Sequence, residues 1–450
     1  MPPSRPNPPH LALIGAGITG TTLSLALTRR NISHTLYEQS PFPSEVGAGL
    51  GFGANAARAM EVIDPALARV FVAGRTGADV RASFAGSGNG NGGEPVWIEF
   101  VDGTAEGDEA VFTVFARGGE GHGAVHRAKW LGVLMGRVAG GVVRFGKRLE
   151  RIGVGEGARG RMLLRFADGT VEEADAVIGC DGVKSRVREL MVHGEGENVQ
   201  AAKCSYSGKY AYRCMIPMAK AVEAVGSNRA GVSSLWMGHG RHVLTFPVGE
   251  PGPDQLLNLV AFVTDSSKTW PSADARSLTL PTMRDDALRD FEQGGFGPSW
   301  GLFDLAAHPL PRFHFGRILV IGDAAHASTP HHGSGAGFCI EDVAVLASLL
   351  EELDDPASHQ TDLEAVFAAF DASRRERDQW LVQSSRRAAD VYEWRLPGTG
   401  RGHFEAMREG IQARQGVCWG INLDRAIREA KEYLRSRRVG GPREKGVDCA

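Results

Sequence analysis

The apolar tetrad LALI at 11–14 runs into glycines, and TTLSLALTRR after them carries its apolar residues on one helical face. HTLYE at 34–38 reads as the next strand, so the chain opens as a β-α-β unit with a glycine-rich turn between strand and helix. LRFADG at 164–169 and ADAVIG at 174–179 read as strands around an Asp-Gly turn. Residues 204–264 are strand-rich, with HVLTFPV (242–248) and LLNLVAFV (256–263) as the clearest runs. RILVIGDA at 317–324 is another buried strand that returns to β-α alternation. From about residue 338 onward the pattern is helical, with long charged helices over 362–394 and 421–437. AGSGNGNGG at 85–93 has nothing to pack and reads as a loop.

This order predicts an α/β fold in which a nucleotide-binding domain is interrupted by a β-rich one. The nucleotide-binding part is assigned to 1–80, 105–200 and 300–380, the β-rich part to 81–104 and 201–299, and a helical C-terminal region to 381–450. At 450 residues, with 42% hydrophobic and 23% charged positions, the chain has the material for one large two-part core. A formal net charge of −3 and the lack of a dominant basic run argue against nucleic-acid binding. Six scattered cysteines without a C-x-x-C pair fit a reducing compartment. Glycines and threonines interrupt the apolar N-terminal stretch, so it reads as a strand entering a helix and not as a signal peptide. No apolar run reaches the roughly 18 residues of a membrane span, and a cytoplasmic location is expected. The basic segment RAIREAKEYLRSRR suits a solvated helix or the face of a homodimer.

Gly15, Gly17 and Gly20 form G-x-G-x-x-G between the first strand and the first helix. The first glycine permits the tight turn, the second lets backbone approach a pyrophosphate, and the third allows close helix–strand packing. The helix N-terminus adds free N–H groups and a positive dipole end. Glu38, 18 residues after Gly20, is placed to accept from ribose hydroxyls and favours FAD or NAD over NADP.

A second glycine-rich stretch, EVGAGLGFGANAARAM (45–60), enters a helix too soon to be another β-α-β unit. Together with VHRAKWL (125–131), GCDGVKSRVR (179–188) and GDAAHASTP (322–330), it makes the chain resemble the aromatic-ring flavoprotein monooxygenases, the single-component FAD hydroxylases. The resemblance is greatest to the salicylate-hydroxylase-like branch and its fungal phenol-dearomatising relatives, over roughly residues 10–395. It implies a Rossmann-like FAD-binding domain interrupted by a β-rich substrate domain, with a helical C-terminal region. It also implies an enzyme that consumes NADH or NADPH and O2 and hydroxylates a phenolic or other electron-rich ring through a flavin C4a-hydroperoxide, with or without decarboxylation or dearomatisation.

Carried onto matching positions, the resemblance gives Glu38 to the adenosine ribose, and Gly49, Leu50 and Gly51 to the ribityl chain and ring. Arg127 reaches FAD from the helix after His126, Asp181 sits near the pyrophosphate and the nicotinamide path, and Asp323 bonds a ribityl hydroxyl. Pro330 is the bend by the flavin face, and Gly335–Ala336 meets the pyrimidine edge. The residues independently support this last role, because a helix begins at those glycines and its dipole favours negative charge on reduced flavin. On the substrate side the resemblance places Arg213, in GKYAYRCMIP, in the pocket, where a cation favours phenolate over phenol. Tyr212 beside it, and His239 and Phe246 in LWMGHGRHVLTFPV, are further pocket candidates, His239 as a polar contact or acid/base group. Phe246 stands where relatives often carry tyrosine, which removes a hydroxyl. Ala54, Phe338 and Cys339 also depart from the family pattern.

GDAAHASTPHHGSGAG at 322–337 offers Asp323, His326, His331 and His332 as metal ligands. The position of Asp323 just after a buried strand, and the glycines opening a helix, favour a flavin cradle and no metal. His326 is expected to pack or bond within that loop. A flavin reductase or oxidase of the same fold and a non-catalytic FAD-bearing scaffold remain as alternatives; a halogenase is disfavoured because YAYRCMIP lacks W-x-W-x-I-P.

Overall fold

LALI does form a strand, Leu11–Ile14, buried at all four positions, as a strand covered by helices on both faces must be. The computed structural model describes residues 9–42, 49–74, 96–116, 123–155, 160–195, 199–249, 251–267, 269–270, 300–353 and 359–440. Among these, a six-stranded sheet runs in the order His314–Phe315, Ile318–Val320, Ala176–Gly179, Leu11–Ile14, His34–Tyr37, Val143–Arg144. All its neighbours are parallel except the first pair. A seven-stranded sheet follows the order Trp300–Asp304, Ser205–Pro217, Leu256–Thr264, Arg241–Val248, Ser234–Gly238, Val96–Asp102, Ala110–Phe115. Gly49–Phe52 and Gly123–His126 make an antiparallel ribbon of their own. The fold is mixed α/β with a helical C-terminal region, as expected.

Two local expectations change. The Asp168–Gly169 turn joins Met162–Phe166 to Val171–Ala174, whereas Ala176–Gly179 leaves that hairpin for the parallel sheet. The exposed charges of VEEA had hidden a strand that borders solvent. Within the strand-rich middle, Met218–Ala230 is a helix, interrupted at Gly226 where φ is +78°. AGSGNGNGG at 85–93 lies outside the described residues.

The helix Gly335–Leu350 is buried from Gly337 to its end and forms the centre of the largest core with Ile18–Arg29, Ala54–Ile63 and the long helix His359–Tyr392. A helix so largely apolar belongs in such a place. Among the described residues, no helix is long and apolar enough to cross a membrane. Cys180, Cys204, Cys214, Cys339 and Cys418 are free thiols.

Candidate active site

Four neighbouring parallel strands release their C-terminal ends on one edge of the six-stranded sheet: Ile318–Val320, Ala176–Gly179, Leu11–Ile14 and His34–Tyr37. The loops there carry Gly322–Asp323, Asp181–Gly182, Gly15–Gly20 and Glu38. Such an edge is where open α/β sheets bind ligands. Gly15 has φ +99°, and a Cβ there would lie 2.7 Å from Cys180 O. A Cβ on Gly20 would lie 2.0 Å from Gly15 O, so helix and turn meet only because residue 20 is glycine. A Cβ on Gly17 would meet nothing within 4 Å, which leaves its backbone facing open space. Gly17 caps the first helix without a side-chain bond, so the opening amides remain available to an anion. The Glu38 carboxylate accepts from Ala16 N and Ser40 N, both at 2.8 Å, which ties the acid to the turn.

The Asp181 carboxylate accepts from Arg186 N at 2.7 Å, Val187 N at 3.0 Å and the Ser185 hydroxyl at 2.5 Å. It thereby caps the helix Arg186–Glu195 while its backbone packs against Gly15. Gly322 has φ +61°, and a Cβ there would strike Thr19 Oγ1 at 2.7 Å and approach Cys339 Sγ at 3.1 Å. Arg127 begins the helix Arg127–Met135 just after the ribbon; burial lowers its pKa and the nearby Asp323 opposes that shift.

The ribbon links the two sheets. Gly49 N donates to Asn258 Oδ1 at 3.3 Å, and a Cβ on Gly49 would lie 2.6 Å from the Phe246 ring. Leu50 pairs with Val125, and Gly51 lies opposite Gly333 O, 3.6 Å from where its Cβ would be. Pro330 and Gly333 are exposed, whereas His331 and His332 between them are buried. Gly335 and Ala336 begin the central helix, again with no side-chain cap.

Strand alternation sorts the substrate-side candidates. Arg213 pairs with Val260, which pairs in turn with Leu244, and Met215 pairs with Asn258, which pairs with Phe246, so these residues share one face of the seven-stranded sheet. Phe246 against Gly49 shows that this face looks toward the glycine loops. Tyr212, one position from Arg213, therefore points to the opposite face, edge-on to Tyr210 at 5.8 Å. His239 is exposed in the turn between Ser234–Gly238 and Arg241–Val248, edge-on to Trp394 at 5.0 Å. Roughly 17 Å of strand separates that turn from Phe246. Arg213 and Phe246 come together; Tyr212 and His239 do not join them. Arg213 Nε and Asn258 Nδ2 are buried without a hydrogen-bond partner among the described residues. Burial, reinforced by the charge of Arg127, pushes the Arg213 pKa down. Arginine stays charged in proteins, so Arg213 is a cation in a site where burial and Arg127 both disfavour its charge.

Behind the cradle lies a buried ion network that sequence reasoning missed. Glu341 and Asp342 sit inside the apolar helix, and Arg374 bonds Glu341 at 2.7 Å, Asp342 at 2.8 Å and Asp378 at 2.6 Å. Arg377 and Asn55 also donate to Glu341. Asp342 Oδ2 accepts from Gly322 N at 2.9 Å and from His326 Nε2 at 2.7 Å. His326 thus bonds the following helix and not its own loop. Burial disfavours its charge, but Asp378 and Asp342 outweigh that and raise its pKa to about 9. His332 donates to or accepts from Ser384 Oγ at 2.8 Å, and burial lowers its pKa to about 4.

Glycine turns that admit ligand backbone contacts, two uncapped helix N-termini and an acid at the second strand fit a large anionic dinucleotide carrying a flat ring, the site of a flavoprotein. Residues 137–383 match the FAD binding domain family. The chain is 39% identical to an FAD-dependent monooxygenase of Monascus ruber, over 95% of this chain and 97% of that protein. It is 34% identical to a salicylate hydroxylase of Sarocladium schorii, over 97% and 93%. A solved salicylate hydroxylase–substrate complex shares the fold at a TM-score of 0.75 and 29% identity, covering 94% of this chain and 98% of that one. The chain belongs to the FAD-dependent monooxygenases of the salicylate hydroxylase type.

Proposed function

We propose that the protein uses NADH or NADPH and O2 to hydroxylate a phenolic aromatic substrate bound between the glycine loops and the Arg213 face of the seven-stranded sheet. The observation that carries this reading is Arg213 itself, a half-buried cation whose buried Nε has no partner among the described residues, on the sheet face that Phe246 joins to Gly49. A phenolate or an aromatic carboxylate supplies the missing counter-charge. Bound FAD supplies the reduction and activation of O2. In this reading Glu38 holds the adenosine ribose, and Gly15, Gly17 and Gly20 hold the pyrophosphate. Asp323 and Arg127 hold the ribityl segment, Gly49 to Gly51 and Pro330 flank the ring, and Gly335–Ala336 meets its pyrimidine edge. Asp181 shapes the neighbouring approach for nicotinamide by fixing the adjacent helix start. Leu244, Val260 and Phe246 keep water from the reacting centre. The parallel sheet with its helices forms the FAD-binding domain in this reading, and the seven-stranded sheet the substrate domain.

The test is NAD(P)H consumption by the FAD-loaded enzyme with salicylate, salicylaldehyde, resorcinol and hydroxyquinoline, scored together with product mass. Stimulated consumption with a gain of one oxygen is expected, with loss of CO2 where the ring carries a carboxyl group. Consumption that no aromatic compound stimulates would leave a reductase, and this reading would be wrong.

A further inference from the structure

A second set of ionisable side chains lies between the Pro330 loop and the substrate sheet. His331 turns inward from that loop, 7% exposed, and its ring packs on Phe262 at 4.9 Å and on His242 at 5.3 Å. His242, 2% exposed, lies flat on Phe262 with centroids 4.5 Å apart, and its Nδ1 stands 3.1 Å from Glu393 Oε1. The other Glu393 oxygen accepts from Lys209 and Thr264, and Lys209 also reaches Asp390 at 3.1 Å. Phe262 and His242 share the sheet face of Arg213, one register row away: Ala211, Phe262 and His242 lie beside Arg213, Val260 and Leu244. That step is roughly 7 Å along the strands.

The hydrogen-bonding logic is directional. An ionised carboxylate only accepts, so His242 Nδ1 carries the hydrogen and Nε2 keeps its lone pair. A carboxylate behind a neutral imidazole holds it in the basic tautomer and stabilises the imidazolium that proton uptake creates. Burial raises the Glu393 pKa, but the His242 bond and Lys209 bring it down to about 2, so the carboxylate stays ionised. Before a phenolate forms, burial holds His242 and His331 below the usual histidine range, so both start neutral and able to accept, and the phenolate charge formed one row away then favours the protonated imidazole. Both ring nitrogens of His331 are buried without a partner among the described residues. One of them lies within 4.8 Å of a His242 nitrogen and a Glu393 oxygen, a spacing that one water spans. The Lys209 ammonium on Glu393 makes the cluster unfavourable for a metal cation. Tyr392, 5.5 Å from His242, is pushed further from ionisation by burial, and His332 is held neutral. Neither competes for a proton at neutral pH.

We propose that His331 takes the proton of the substrate hydroxyl ionising beside Arg213 and passes it to His242, where Glu393 stabilises it. The O–H bond breaks with its electron pair left on the phenolate oxygen, and the proton ends on His242 Nε2. No oxidant or reductant takes part. Within the site His331 is the accepting group, and His242 and Glu393 act through it. The inference rests on the phenol reading above.

The test uses FAD-loaded enzyme and the phenol of the panel that gives the largest stimulation, in weak buffer with a pH indicator. Phenolate formed on binding is read from its red-shifted absorbance, and released protons from the indicator. In the wild type, bound phenolate should form with little proton release and little pH dependence around neutrality. In His331→Asn and His242→Gln, which change no charge at rest and keep the Lys209–Glu393 pair, each phenolate formed should release one proton. The fraction ionised should then rise about tenfold per pH unit on the acid side. Retained FAD absorbance shows that the variants are folded. A wild type that releases one proton per phenolate, or variants that match it, overturns the relay and leaves the phenol reading intact. If no panel phenol stimulates, the phenol reading falls, and the relay with it.

Discussion

Gly15 and Gly17 stand two positions apart and serve different ends, which makes them separable by mutation. Gly15→Ala puts a Cβ 2.7 Å from a backbone oxygen at φ +99°, so fold and cofactor should fail together, with a loss of about 2 kcal/mol or more. Gly17→Ala adds a methyl group to open space at φ −73°, so the apo protein should melt within about 1 kcal/mol of wild type. Its FAD affinity, measured by flavin fluorescence quenching, should nonetheless fall at least tenfold; unchanged affinity would remove the pyrophosphate from this turn. Arg213→Met should keep its FAD and weaken phenol binding by about 1.5–3 kcal/mol, read as a raised KM in steady-state assays. The glycine triplet was legible because its spacing is local. Tyr212 was misplaced although the signal lay in the sequence: consecutive residues of a strand face opposite ways, so Tyr212 and Arg213 never line one pocket. The same alternation puts His242 on the Phe246 face, yet HVLTF reads first as an apolar run.

At the scale of elements, the helix Gly335–Leu350 is the piece on which the cradle depends. Two acids in a fully buried helix were the visible clue in GFCIEDVAVLASLL. Their partners Arg374 and Arg377 come from a helix some thirty residues later, and no local pattern links them. Arg374→Met should cost about 3–5 kcal/mol, because it leaves buried carboxylates unpaired, and denaturant titration reads this directly. His326 gives the network a pH signature. Its folded pKa of about 9 lies above the ordinary 6.5, so the stability it contributes is complete below about 6.5 and lost as pH rises through 9. Over that window the wild type should lose on the order of 3 kcal/mol relative to His326→Asn in thermal melts followed against pH. Equal slopes for the two proteins would show that His326 is not charged at neutral pH.

On the scale of the whole molecule, the β-α-β opening and the late RILVIGDA strand were readable as parts of one sheet. The ribbon Gly49–Phe52 with Gly123–His126 was not, because its two strands look like loops and find each other only across the fold. FAD should raise the melting temperature, with a stabilisation that grows as the logarithm of its concentration and reaches about 2.7 kcal/mol at a hundredfold excess over Kd, as expected for a ligand of the native state alone. The four strand ends that carry Gly15, Glu38, Asp181 and Asp323 have a further consequence for the chain as it is made. Leu11–Ile14 gains a neighbour in His34–Tyr37 at once but must wait for Ala176–Gly179, which itself waits for Ile318–Val320. Closing loops of that length makes folding slow, and its intermediates expose unpaired strand edges. With FAD bound at these strand ends as proposed, its capture should come late in folding, and a nascent chain released before Asp323 has left the ribosome should carry every glycine of the first turn yet retain no FAD.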